Sequence, residues 1–167
     1  HFEPRSWHPV LDNPAFQRQT ARDRYWGMKR ILAFTPEELR AAIAEGRYRP
    51  EAAERLYEIL IARREKMART FLADLPALDH FRLDADRLCF DDLWLDAGLG
   101  GDHATAYSMT GDGVTASPHR CAQLAPFDGY RIVALRVRRP GERKFSRAVN
   151  VHLMEESGRR RIIGIER

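Results

Sequence analysis

Long apolar runs are missing from this chain of 167 residues, and none of its hydrophobic stretches approaches the roughly 18 residues that a membrane-crossing helix needs. Cysteine is scarce too. Cys89 and Cys121 are the only two, so at most one internal disulfide can form, and their spacing matches no zinc or redox signature. Chemical fingerprints are also absent. No G-x-S-x-G elbow surrounds Ser6, Ser108, Ser117, Ser146 or Ser157, which leaves a serine hydrolase without a nucleophile setting. Gly98, Gly100, Gly101, Gly111 and Gly113 do not join a strand to a helix at phosphate-binding spacing, so no nucleotide cofactor is expected. His119 beside Cys121, with Asp102 and His103 upstream, is the only cluster with metal-ligand chemistry. It falls short of the four well-spaced ligands of structural zinc, and no metal is expected.

What is present is an ordinary globular composition, 44% hydrophobic and 31% charged, in a chain long enough for one domain or two small subdomains that bury roughly 70% of their unfolded surface. The chain starts at His1 in mid-pattern and without methionine, which reads as a piece of a longer protein. Its net charge of +4 is unevenly spread: residues 130–167 sum to +7, with eleven Lys and Arg against four Glu. Such a bias marks either an anionic partner or the solvated face of strands in which arginine alternates with apolar residues. Of the 28 basic residues 25 are arginine.

The layout is legible in three stretches. Residues 1–19 carry Pro4, Pro9 and Pro14, each of which holds its predecessor extended, and form an arm anchored by Trp7 and Phe16. Residues 20–78 form a helical subdomain. Thr20 with Asp23 and Thr35 with Pro36 and Glu38 are helix starts, in which a hydroxyl caps free amides and an acid closes the capping box. The second helix should stop at Gly46. A third, from Pro50 to before Pro76, carries Leu56, Leu60, Met67 and Phe71 on one apolar stripe. Residues 79–167 change period: Val133, Leu135 and Val137, then Val149, Val151 and Leu153, alternate as strands do. Arg161–Ile165 adds a third strand to an antiparallel meander, and Asp91 is expected to cap a short helix ending at Gly98. Helices followed by strands give an α+β fold, a three-helix layer with an antiparallel β unit arranged as a small sandwich.

Several side chains invite chemistry. Arg64 sits on the edge of the long helix's apolar stripe, and a buried guanidinium there would need an acid such as Asp12, Asp79 or Asp91; otherwise its stem packs while its head reaches water. Asp91 and Asp92, with Asp96, could supply the facing carboxylates of an acid–base pair, although capping and solvation also explain them. Arg136, Arg138 and Arg139 could converge with Arg159, Arg160 and Arg161 into an anion-binding strip, or protect strand edges by charge. Aromatic neighbours are too few for base stacking, so nucleic acid is not expected as partner.

Trp7-x-Pro9, Asn13-Pro14-Ala15-Phe16, Tyr25-Trp26-Gly27, the helix from Phe34-Thr35, Arg63-Arg64-Glu65-Lys66 and the closing Ile163-Gly164-Ile165-Glu166-Arg167 together resemble the C-terminal region of a family of large uncharacterised bacterial proteins. The resemblance covers nearly the whole chain and implies the end of a longer polypeptide, with export or the cell envelope among its compartments. It carries no activity and no catalytic residue. The expected function is that of a non-catalytic C-terminal structural or interaction module, docking to the upstream part of its parent chain or to another protein. Trp7, Phe16, Tyr25 and Trp26 are its candidate anchors, the local core being their other role. The alternatives are an anion- or carbohydrate-binding module using Arg136, Arg138, Arg159 and Arg161, and an enzyme fragment using Asp91 and Asp92.

Overall fold

The computed structural model describes residues 2–7, 9–101, 104–117 and 120–167. The chain forms two compact units, His1–Asp74 and Leu75–Arg167, and the fold is α+β, with helices in the first and antiparallel sheets in the second.

In the helical unit, α1 (Pro14–Gln17), α2 (Ala21–Leu32), α3 (Pro36–Ala44) and α4 (Pro50–Phe71) follow one another. The arm is not wholly extended, because Asn13 caps the single turn of α1. Thr20 and Thr35 both complete capping boxes, with Asp23 and Glu38 returning bonds to the cap amides. The Thr20 backbone amide, followed by its hydroxyl, holds the Asp23 carboxyl below its ordinary value. α3 ends at Ala44 with Glu45 as its C-cap, just before Gly46 as expected. The left-handed residue is Arg47, at φ 50°, and the exposed Tyr48 ring lies over Gly46.

Tyr25 and Met28 on α2 are buried three residues apart, and α2 packs on α4, whose Ala68 is fully enclosed. The arm's first residues are tied to α4 and the turn after it: Lys66 Nζ donates to the Phe2 carbonyl at 2.8 Å, and Arg5 reaches Asp74 at 2.6 Å.

The β unit has eight strands, β1 (Leu78–Asp84), β2 (Arg87–Asp92), β3 (Ala106–Thr110), β4 (Val114–Ser117), β5 (Cys121–Leu124), β6 (Gly129–Arg138), β7 (Val149–Glu156) and β8 (Arg159–Glu166), with a short α5 (Leu93–Asp96) after β2. They form two four-stranded antiparallel sheets, ordered β1-β2-β5-β4 and β3-β6-β7-β8. The β6-β7-β8 meander is as expected, and β3 extends it along the other side of β6. Alternation sends Leu88 and Phe90 of one sheet, and Val133, Leu135, Val151 and Leu153 of the other, into one shared core. Two sheets around a common interior make a sandwich.

Gly113, in the turn from β3 to β4, has φ +62°, and a Cβ on it would lie 2.8 Å from Ala125; conformation and space both require glycine there. Cys89 and Cys121 face each other across β2 and β5 and are joined as a disulfide.

Candidate functional site

The helical unit turns a row of large apolar side chains outward. Trp7 is 54% exposed, Phe16 46% and Trp26 66%, and Val10, Leu11 and Phe34 are also exposed. Local structure explains why. Successive helical residues stand about 100° apart, so once Tyr25 is 4% exposed and pointed at α4, Trp26 is carried away from it. Trp7 and Phe16 meet edge to face with ring centres 5.7 Å apart, which ties α1 to the arm while leaving both rings open to solvent. Of the four anchors expected from sequence, Tyr25 is therefore a core residue, and Trp7, Phe16 and Trp26 are available for contact. Val10, Leu11 and Phe34 extend the exposed set. Their apolar character was legible in the sequence, but their exposure was not, because exposure depends on which face α4 covers.

Among the described residues Arg64 has no acid partner of the expected kind. Its Nη1 donates to the Phe34 carbonyl at 2.8 Å, just beyond the end of α2, where helix-terminal carbonyls lack intrahelical donors. Asp79 is bound instead by Arg167 at 3.1 Å, Asp91 by Arg82 at 2.7 Å, and Asp12 is exposed.

The acids of β2 are separated by the pleat. Successive strand residues face opposite ways, so Asp91 and Asp92 cannot address one substrate atom together. Asp92, not Asp91, caps α5, accepting from the Trp94 amide at 3.1 Å. It is fully buried and is gripped bidentately by Arg139 at 2.6 and 2.7 Å, with the Tyr107 hydroxyl donating at 2.7 Å. Four donors occupy the four acceptor directions of this carboxylate, leaving none for a substrate proton. Burial, then the bond to Asp92, pushes the Tyr107 phenol well up from its ordinary value. For Asp91, burial acts to raise the pKa, but the Arg82 and His80 hydrogen bonds outweigh it and hold the carboxyl below its ordinary value. Asp96 is taken by Arg120 at 2.7 Å. These acids build a structural network, with Asp92–Arg139 joining the β2 end of one sheet to the β6 end of the other.

The arginine strip does not form as one surface. Arg161 lies across from Met154, which lies across from Tyr130, six residues before Arg136 on β6; at about 3.3 Å per residue the two groups are roughly 20 Å apart. Arg139 belongs to Asp92, Arg160 pairs with Glu155, and Arg161 approaches Glu156 at 3.6 Å. Edge protection does not explain Arg136 or Arg138, because β6 lies between β3 and β7.

Asp102, His103 and His119 lie outside the described residues. Among the described residues no group of three or more His, Cys, Asp or Glu side chains is arranged to hold a metal ion, and no helix is long and apolar enough to cross a membrane. A shallow hollow beside β4 and β5 has Asp86 as its ionisable side chain, and Gln123 already donates to it. Compared with protein-family models, curated proteins and solved structures, the chain matches none.

Proposed function

We propose that this chain is a non-catalytic structural and interaction module, the C-terminal part of a larger bacterial protein, whose helical unit docks onto protein: the upstream part of its own parent chain or a separate partner. The observation that carries the reading is the exposure of Trp7, Phe16, Trp26 and Phe34 on a unit whose packing already uses Tyr25 and Met28. Tryptophan and other large aromatics contribute most of the free energy at protein interfaces, because they remove a large rigid area from water at low entropic cost. Several of the unit's charges are paired internally. Arg40 pairs with Glu54 at 2.6 Å, Arg55 with Glu58 at 2.9 Å and Arg69 with Glu65 at 2.9 Å.

The Cys89–Cys121 bridge supports a location in an oxidising compartment, where disulfides persist. Photo-crosslinking amino acids placed at Trp7, Phe16 and Trp26 in producing cells test the docking claim, with Arg55 and Glu58 on α4 as control positions. Crosslinks to a protein segment from the aromatic positions alone are expected. Equal yields from aromatic and control positions would remove the claim.

A further inference from the structure

Of the thirteen arginines of the β unit, just over half are matched to an acid. Seven have a carboxylate within 4.0 Å, among them Arg82, Arg120, Arg139 and Arg167, and Arg131 donates to the Ala125 carbonyl and covers the Phe127 ring. The end of β6 and the loop after it gather four of the other six, and Arg159 at the far end of the sheet stands apart from them. Arg136, Arg143, Lys144 and Arg147 have no carboxylate partner among the described residues, and Arg138 has only the Phe145 ring, 5.1 Å from its guanidinium.

The backbone gathers these side chains. Arg136 and Arg138 share the outer face of β6, since the intervening Val137 points into the core. The loop then runs back beside β6. Ser146 donates its amide to the Val137 carbonyl at 2.8 Å, and its hydroxyl accepts from the Val137 amide at 3.1 Å, which brings Arg147 alongside Arg136 and Phe145 alongside Arg138. The loop's one acid, Glu142, is turned to the backbone, accepting from the Arg139 amide at 2.7 Å. Six basic residues lie within the twelve positions 136–147; with Arg139 spent on Asp92, the other five repel one another wherever they come within the Debye length of about 8 Å, and that cost is offset when a polyanion lies across them.

We infer that the β6 end and the β6–β7 loop form a binding surface for an anionic polysaccharide, recognised through Arg136, Arg143, Lys144 and Arg147 with Phe145 as an apolar contact. The patch is an open surface on a strand and loop, suited to a polymer laid across it. One exposed ring is too few to stack successive bases, and the disulfide favours a compartment in which the abundant polyanions are glycans. This surface belongs to the β unit and stands independently of docking by the helical unit.

Titration calorimetry of the 167-residue chain with heparin oligosaccharide (sulfated), polygalacturonate (carboxylated) and a single-stranded oligonucleotide tests the assignment. Binding to at least one glycan is expected, with a log–log salt slope of about three to five from counterion release. Replacing Arg136, Arg143, Lys144 and Arg147 together by Gln should weaken it roughly tenfold or more and flatten the slope. Arg159→Gln, at the far end of the sheet, should change neither. The set Arg136→Lys, Arg143→Lys and Arg147→Lys, which keeps the charge, should retain binding. Absence of glycan binding at low salt, full affinity in the four-Gln variant with its circular dichroism unchanged, loss of binding in the lysine set, or tighter binding of the oligonucleotide would each overturn the inference.

Discussion

The two units use their apolar residues differently. Among the described residues the helical unit buries five, Tyr25, Met28, Ile43, Ala68 and Leu72, whereas the β unit buries eighteen. Stability follows buried area at about 25 cal/mol per Å², so the β unit is the better-filled body. It adds a disulfide and the enclosed Asp92–Arg139 and Asp79–Arg167 pairs. The helical unit relies on capping boxes and solvent-exposed ion pairs, each of small worth, and leaves Trp7, Trp26 and Phe34 uncovered. A unit that exposes two tryptophans over a sparse core is suited to docking; the β unit also leaves Tyr130, Ile132, Phe145, Ile163 and Ile165 exposed, but its fuller core suits it to standing as a scaffold.

That contrast can be broken most severely at Arg139. Arg139→Ala leaves Asp92 buried without its cation, which costs about 3–5 kcal/mol. Hydrogen exchange followed segment by segment should show the β strands losing protection while α2 and α4 keep theirs; equal loss in both units would show that they do not behave as separate bodies. Next in size, removing the bridge with paired Cys89→Ala and Cys121→Ala substitutions, which opens a loop of 32 residues, should destabilise the β unit by about 2–4 kcal/mol. Chemical denaturation should resolve this as a shift in the β transition alone.

Thr35→Ala removes one half of a capping box and should cost about 1 kcal/mol, read as faster exchange in α3 with β-unit protection unchanged. Trp26→Ala should change stability by no more than about 0.5 kcal/mol, as for an exposed side chain, and yet reduce capture of the docking partner. A large loss of stability instead would make Trp26 a core residue.

The smallest effect is that of acid. The Asp91 carboxyl sits below its ordinary value of 3.8 because the bonds from Arg82 and His80 outweigh the opposing effect of burial. A carboxyl so lowered contributes stability above the ordinary value, and that contribution is lost as pH falls through the lowered one. Denaturation between about pH 5 and about pH 2 should therefore weaken the native chain more than an Asp91→Asn variant.

Legibility in the sequence tracked distance along the chain. Thr20 with Asp23 and Thr35 with Glu38 announced their helices because cap and partner are three residues apart. The β6 and β7 alternation was readable for the same reason, since each face repeats every second residue. The Asp92–Arg139 bond spans 47 residues and Arg64–Phe34 spans 30; neither partner marks the other in the sequence. For the same reason, two acids side by side in β2 suggested joint chemistry that the pleat forbids. The cations at Arg143 and Lys144 were not singled out in the sequence, where the anion-binding candidates were Arg136, Arg138, Arg159 and Arg161. That these two cations and the neighbouring Arg136, Arg138 and Arg147 lack acid partners among the described residues became evident only in the folded chain, where Glu142 turns to the Arg139 amide and Asp92 takes the Arg139 guanidinium.

The sequence by itself determined the α+β order, the two capped helix starts and the alternation that sends Val133, Leu135, Val151 and Leu153 inward, because these depend on periods of two to four residues. Tertiary structure alone decided that Cys89 meets Cys121, that Tyr25 is buried while Trp26 is not, and that Asp92 serves Arg139. The physical reason is that burial and ion pairing depend on which surfaces close on each other, and that closure is set by the packing of elements far apart in the chain.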